Sequence, residues 1–240
     1  MALAYKKSGK YDEAIVGFKR LIDIDPKDTK PLLHLGDIYE EQGELDEAMR
    51  YLKSAVTIDP EAPVFHNNLG AVYLKREMLD EAENEINTAL SIERSIPLFN
   101  AHFNMALLHE ARGDFDLAVV EYKKEQETSP FNHMPDFNLG LLYAKAKELG
   151  KAIKEFKGCI EKNEEFAGAY VFLAKAYMDS GKDINEAAKL ALKGLGLKTD
   201  LRTNILAHFI LADIYNRLGR HQESRKHVDK AKKLQKTLSH

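Results

Sequence analysis

Tryptophan is absent from these 240 residues, and cysteine occurs once, at Cys159. A single thiol excludes a disulfide within the chain. Long apolar runs are missing too. None approaches the ~18 residues that a membrane-crossing helix needs, and no signal peptide precedes the first patterned segment. No membrane insertion is therefore expected, and a cytoplasmic location is. The pattern opens partway through a helix, as in a fragment cut from a longer chain, whose targeting segment would then lie outside it. Excess charge of one sign is also lacking: 35 Lys and Arg face 38 Asp and Glu, a net charge of −3. No track of aromatic and basic residues follows the chain, so nucleic acid is not an expected partner. Finally, there is no P-loop, no Gly-rich dinucleotide turn and no Ser/His/Asp signature. Neither catalysis nor a cofactor is expected.

What the chain does have is a pattern that returns about every 34 residues. Residues 29–62 show it most cleanly, with Leu32, Leu35-Gly36, Tyr39, Gly43, Leu45, Glu47-Ala48, Leu52, Ala55 and Pro60. Residues 63–96 follow without a gap, with His66, Leu69-Gly70, Tyr73, Glu81-Ala82, Ile86 and Ala89, but Glu77 stands where Gly is usual. Beyond the inserted Pro97 and Leu98 come units at 99–132, 133–166, 167–201 and 205–238, with Lys147 in the Gly place of the second of these and a loose linker expected at Lys198 to Asn204. A first unit, residues 1–28, keeps Gly9, Tyr11, Glu13-Ala14, Phe18, Leu21 and Pro26 but only the last half of its first helix.

Within each unit the apolar residues step by three and four, the mark of two amphipathic helices. Gly43, Gly113, Gly181 and Gly219 fall where the first helix must stop, and Pro26, Pro60 and Pro130 where the second one ends. Small residues at Gly36, Ala48, Gly70, Ala82, Gly140 and Ala152 let the helices approach closely. One unit cannot bury its own apolar face, so the stack is the core.

These residues resemble the tetratricopeptide repeat family over essentially the whole chain. The resemblance implies an all-α fold, a right-handed superhelical solenoid of antiparallel helix pairs. About seven units would form a single domain over residues 1–240. It also implies that the first helix of each unit lines a concave groove, and that the chain binds a peptide segment or a partner protein there.

Three units place Asn directly before the small-residue packing pair, at Asn68, Asn104 and Asn138. A carboxamide offers both a donor and an acceptor, so stacked Asn residues can satisfy a peptide backbone without reading its side chains. The arrangement is similar to the asparagine ladder of O-GlcNAc transferase-type repeats. It is short, because His34, Phe172 and Ile210 take the same place in other units. Nearby first-helix positions are polar toward the beginning of the chain, at Lys30, Asp37, Glu40 and Glu41. They turn apolar from the fourth unit on, at Phe103, Leu107, Met134, Phe137, Leu141, Val171, Phe172, Met178, Phe209 and Ile210. Such a stripe serves equally as core or as the seat of an apolar segment.

Charge is unevenly spread, with a balance of −10 over residues 1–150 and +7 over residues 151–240. His66, His102 and His208 share the bulky first-helix place held by Leu32 and Tyr170, so they read as packing residues and no metal site is expected. Cys159 shares the place of Ala55 and Ala89 and reads as a buried thiol. In the truncated first unit the face of Ala14, Phe18 and Leu21 should be incompletely covered, and self-association through uncapped ends is possible. The expected function is thus a non-catalytic protein-interaction module. The alternatives are the repeat tail of a larger bacterial enzyme of sulfatase or glycosyltransferase type, or an oligomerisation scaffold.

Overall fold

The structure is a computed structural model that describes residues 1–92 and 100–238. Fourteen α-helices and no strand occur among these residues, and they are joined as consecutive pairs. The first compact unit, Met1–Ser129, holds four pairs. These are α1 (Ala2–Lys7) with α2 (Tyr11–Ile24), α3 (Thr29–Gln42) with α4 (Leu45–Ile58), α5 (Pro63–Lys75) with α6 (Leu79–Ile92), and α7 (Ala101–Arg112) with α8 (Phe115–Thr128). The second, Pro130–His240, holds α9 (Met134–Lys145) with α10 (Leu149–Lys162), α11 (Ala167–Asp179) with α12 (Ile184–Gly196), and α13 (Leu201–Arg217) with α14 (His221–Leu238). Each pair matches one sequence repeat. The inserted Pro97 and Leu98, and Arg94 in the usual Pro place, lie outside the described residues.

The seam within a pair is set by residue size. A methyl group on Gly140 would lie 2.5 Å from the Phe156 ring, and one on Gly70 would lie 2.6 Å from the Ile86 side chain. The large partner on the second helix therefore occupies the volume that a Cβ would need. Between pairs the apolar faces merge. Ala14, Phe18, Leu32, Leu35, Ile38, Tyr51, Ala55 and Phe65 form one buried cluster drawn from four helices of the first unit. A second such cluster joins Leu52, Leu69, Val72, Ile86, Met105 and Leu108.

Two expectations about the ends of elements change. Ala14 and Phe18 are buried, at 0% and 3% exposure, because α3 covers the face that the short α1 leaves open. Leu21 and Ile24 do remain exposed, beside an open cleft of about 630 Å³ that Met1, Tyr5 and Val16 also line. The loose linker expected through Asn204 is helical from Leu201, because the Asp200 carboxylate accepts a hydrogen bond from the Thr203 backbone N–H and caps α13. No helix among the described residues is long and apolar enough to cross a membrane.

The turn between the two helices of a pair needs one residue in the left-handed region. Gly43 and Gly113 supply it with φ of +80° and +85°. Glu77 and Lys147, which replace Gly, adopt the same conformation at φ +57° and +61°. The stack thus imposes the turn on residues that disfavour it by ~1 kcal/mol or more. Glu77→Gly and Lys147→Gly should each raise stability by about 0.5–1 kcal/mol. Gly43→Ala should lower it by a similar amount or more. Urea unfolding midpoints of the three variants measure both signs.

Candidate functional site

The face made by the first helices is where the sequence places the candidate residues, and the two compact units treat it differently. In the first unit its polar residues are engaged with one another. Asp37 of α3 accepts from Lys6 Nζ at 2.8 Å and from the Asn68 amide of α5 at 3.3 Å, which links three successive first helices. Glu40 pairs with Lys75 at 2.8 Å, and Glu41 accepts from the Tyr11 hydroxyl at 2.7 Å. Asn104 is 8% exposed, and its amide donates to the Asn67 carboxamide at 2.9 Å. Asn68 and Asn104 thus differ in partner and burial, although the repeat puts them in one register. Phe103 and Leu107 are half-buried, and the Phe103 ring lies 5.5 Å from that of Tyr122 on α8.

In the second unit the same face is mainly apolar. Phe137 and Leu141 on α9, and Phe172 on α11, are half-buried, whereas Phe209 on α13 is 38% exposed. Helix α11 packs against both α9 and α13, so these side chains belong to adjoining first helices. The Phe137 ring is held edge-on against Phe166 at 4.9 Å and against Phe172 at 5.5 Å. Asn138 is half-buried beside Phe137. Three positions of the expected stripe belong instead to the core: Val171, Met178 and Ile210 are 0%, 7% and 4% exposed, in one cluster with Leu211 and Ile214. Val171 stands in the register of Phe137, and Ile210 in that of Asn138. One helical register therefore faces the core in one pair and the open face in another.

Among the described residues, two buried carboxylates lie outside the expected set. Glu125 on α8 is fully buried and takes the register of Ala55, Ala89 and Cys159. Its carboxylate accepts from the backbone N–H groups of Asn100 at 2.9 Å and Phe103 at 3.2 Å, so a side chain from the second helix caps the start of α7. A carboxylate in an Ala register is a signal that the sequence carries openly. Asp136, 5% exposed, pairs with Lys162 at 2.5 Å across α9 and α10. Burial of Cys159 in the same pair, together with the nearby Asp136 carboxylate, pushes the thiol pKa up to about 12, which leaves it without nucleophilic character at neutral pH.

His66 and His102 each reach a carboxylate nineteen residues on, in the second helix of the same pair: Glu85 at 2.6 Å and Glu121 at 2.7 Å. They tie helices together as the packing reading requires. Among the described residues no group of three or more His, Cys, Asp and Glu is arranged to hold a metal ion.

The Asn67–Asn104 bond allows a direct check of how much of this polar face is structural. Asn67→Ala leaves the buried Asn104 amide without its acceptor and should cost ~1–3 kcal/mol. Replacing both, as Asn67→Leu with Asn104→Leu, should cost clearly less than the sum of the single changes. A double-mutant cycle by chemical unfolding gives the coupling.

Models of two descriptions match the sequence. Those described as TPR repeat or tetratricopeptide repeat match residues 2–43, 36–76, 100–122 and 206–237, together just over half of the chain. Comparison with curated proteins finds no significant match. Among solved structures, the chain is similar to one in the APC/C hetero-tetramer Cut9-Hcn1, with a TM-score of 0.78 and 19% identity over 97% of this chain. It spans 45% of that longer chain. PilF of Pseudomonas aeruginosa aligns with a TM-score of 0.74 and 17% identity, over 88% of this chain and 94% of PilF. YrrB, described as a TPR protein with an unusual peptide-binding site, aligns with a TM-score of 0.54 and 19% identity, over 79% of this chain and 95% of its own. At these identities the likeness is one of fold.

Proposed function

The chain belongs to the tetratricopeptide repeat family, and we propose that this protein-interaction repeat module holds an apolar peptide segment of its partner on the first-helix face of its second unit. The observation that carries the reading is the exposure along that face. Phe209, Phe172, Phe137 and Leu141 keep apolar surface in contact with solvent, while Val171, Leu139 and Leu211 on the same helices are fully buried or nearly so. Apolar area left open on adjoining helices is what a segment with its own apolar side chains would cover, at ~25 cal/mol per Å² removed from water. Asn138, next to Phe137, is the residue of the proposed ladder that would serve this face by meeting the ligand backbone. Asn68 and Asn104 stand on the first-unit face instead, where Asn68 donates to Asp37 and Asn104 to Asn67. Phe103 and Leu107 form a smaller apolar surface on the first unit's own first-helix face, where the charged residues are largely paired among themselves.

The peptide-binding site in the description of YrrB, and the hetero-tetramer in that of Cut9-Hcn1, belong to those proteins; they support a polypeptide as the class of ligand. Panning a displayed random-peptide library against the intact chain, followed by calorimetry of the selected sequences, tests the proposal. Selected peptides should be rich in apolar residues. Phe209→Ser and Leu141→Ser should weaken their binding by about tenfold or more, which corresponds to ~1.4 kcal/mol. Both should leave the unfolding midpoint far less changed than Leu139→Ala, a core deletion expected to cost ~2–5 kcal/mol. Phe137→Ala is the poorer probe, because its ring also packs on Phe156, Phe166 and Phe172. Unaltered affinity in both Ser variants would refute this face as the seat.

A further inference from the structure

The His-to-second-helix tie recurs in three pairs, but in the last one its chemistry is different. In α5–α6 and α7–α8 the imidazole meets a carboxylate, whereas in α13–α14 the residue nineteen positions after His208 is another imidazole. His208 Nδ1 lies 2.8 Å from His227 Nδ1, with ring centroids 5.0 Å apart. His208 is 8% exposed, His227 is half-buried, and the Tyr215 ring packs on His227 at 5.4 Å.

Such a contact has room for one proton. One Nδ1 must carry the hydrogen and the other must be bare to accept it. Charging both rings removes the acceptor and sets two cations against each other. A His–carboxylate pair responds in the opposite way, since the protonated ring is the better donor to an anion. The surroundings give no relief. Lys230 of α14 is the charged side chain acting on both rings, and Tyr215 is the titratable neighbour from α13. Among the described residues, α11 and α12, which pack on α13, bring no charge that acts on either ring.

We propose that the last helix pair is a pH-sensitive latch, in which α14 is held against α13 while His208 and His227 are neutral and is loosened when both become charged. Burial first, then the positive neighbours, place both imidazoles below the ordinary His range. The sign follows. A released α14 binds more protons than a docked one, so the latch is at full strength above the ordinary His pKa of about 6.5 and is lost progressively as pH falls below it. The third and fourth pairs carry a carboxylate in the place that His227 takes in the last.

Hydrogen exchange of the intact chain at pH 7.5 and 5.5, corrected for the intrinsic pH dependence of exchange, reads the latch. Protection of α14 should fall about tenfold more than that of α6 between the two conditions. His227→Glu, which recreates the His–carboxylate tie of the other pairs, should abolish the difference. His227→Gln, which keeps a hydrogen-bond partner that does not titrate, should reduce it, and it serves alone should the Glu variant lack native helix content by circular dichroism. Equal loss of protection in α14 and α6 of the wild type would overturn the proposal. So would a loss in the folded variants as large as in the wild type.

Discussion

Everything in this molecule rests on the seam between the two helices of a pair, where a residue without bulk faces one with it. Gly140 against Phe156 and Gly70 against Ile86 bring the helices so close that a single added carbon has no place to go. That approach turns each pair into a slab with apolar residues on both broad sides. Neither side can be satisfied within the pair, so neighbouring pairs must supply the cover. The same demand explains the turns. Glu77 and Lys147 sit in the left-handed region because the seam on either side fixes where the chain must reverse, and tertiary packing outweighs the local cost. It also explains why Ala14 and Phe18 are buried although α1 is only six residues long: the next pair covers them.

Apolar helix faces, within a pair as well as between pairs, could slide on one another, and buried polar groups act against this. Asn67 with Asn104, Glu125 with the first backbone amides of α7, and Asp136 with Lys162 each join one specified atom to another. Each is a group whose loss of a partner costs more than an apolar contact of similar area, so each favours a single register over nearby alternatives. They are unevenly distributed, which makes the pairs chemically distinct while leaving them alike in shape. The His ties show the same economy of form: one geometry is closed by a carboxylate in two pairs and by a second imidazole in the last.

The helix pairs were legible in the sequence because turn, seam and period are all local, and each leaves its own residue type at a fixed interval. The orientation of individual first-helix residues was less so. Val171 and Phe137 share a register, yet Val171 is fully buried and Phe137 keeps some exposure, because the side to which a position turns depends on the size of its neighbours in adjacent helices. Periodicity does not encode that. The Asn positions show the same limit. Spacing places Asn68 and Asn104 in one row, but it does not reveal that Asp37 waits beside one and Asn67 beside the other. Glu125 could have been found: a carboxylate in a register otherwise held by small residues must either disrupt the seam or meet buried donors, and here it meets them.

A polar face whose groups are paired with each other has little free energy to offer a ligand, since each new hydrogen bond replaces an existing one. This is the condition of the first unit, where Asp37, Glu40, Glu41, Asn68 and Asn104 are all engaged. An apolar face has no such internal alternative. Phe209 and its neighbours on α9 and α11 can shed water only by acquiring a cover, so association through them, as proposed, would be driven by area and tolerant of ligand sequence. Selectivity would then fall to charged groups such as the exposed pairs Lys175–Asp179 on α11 and Arg217–Asp213 on α13, which can be exchanged for ligand charges with little loss. On the proposed reading the two tasks would be separate, with affinity residing in the apolar strip and discrimination in exposed ion pairs on the same helices.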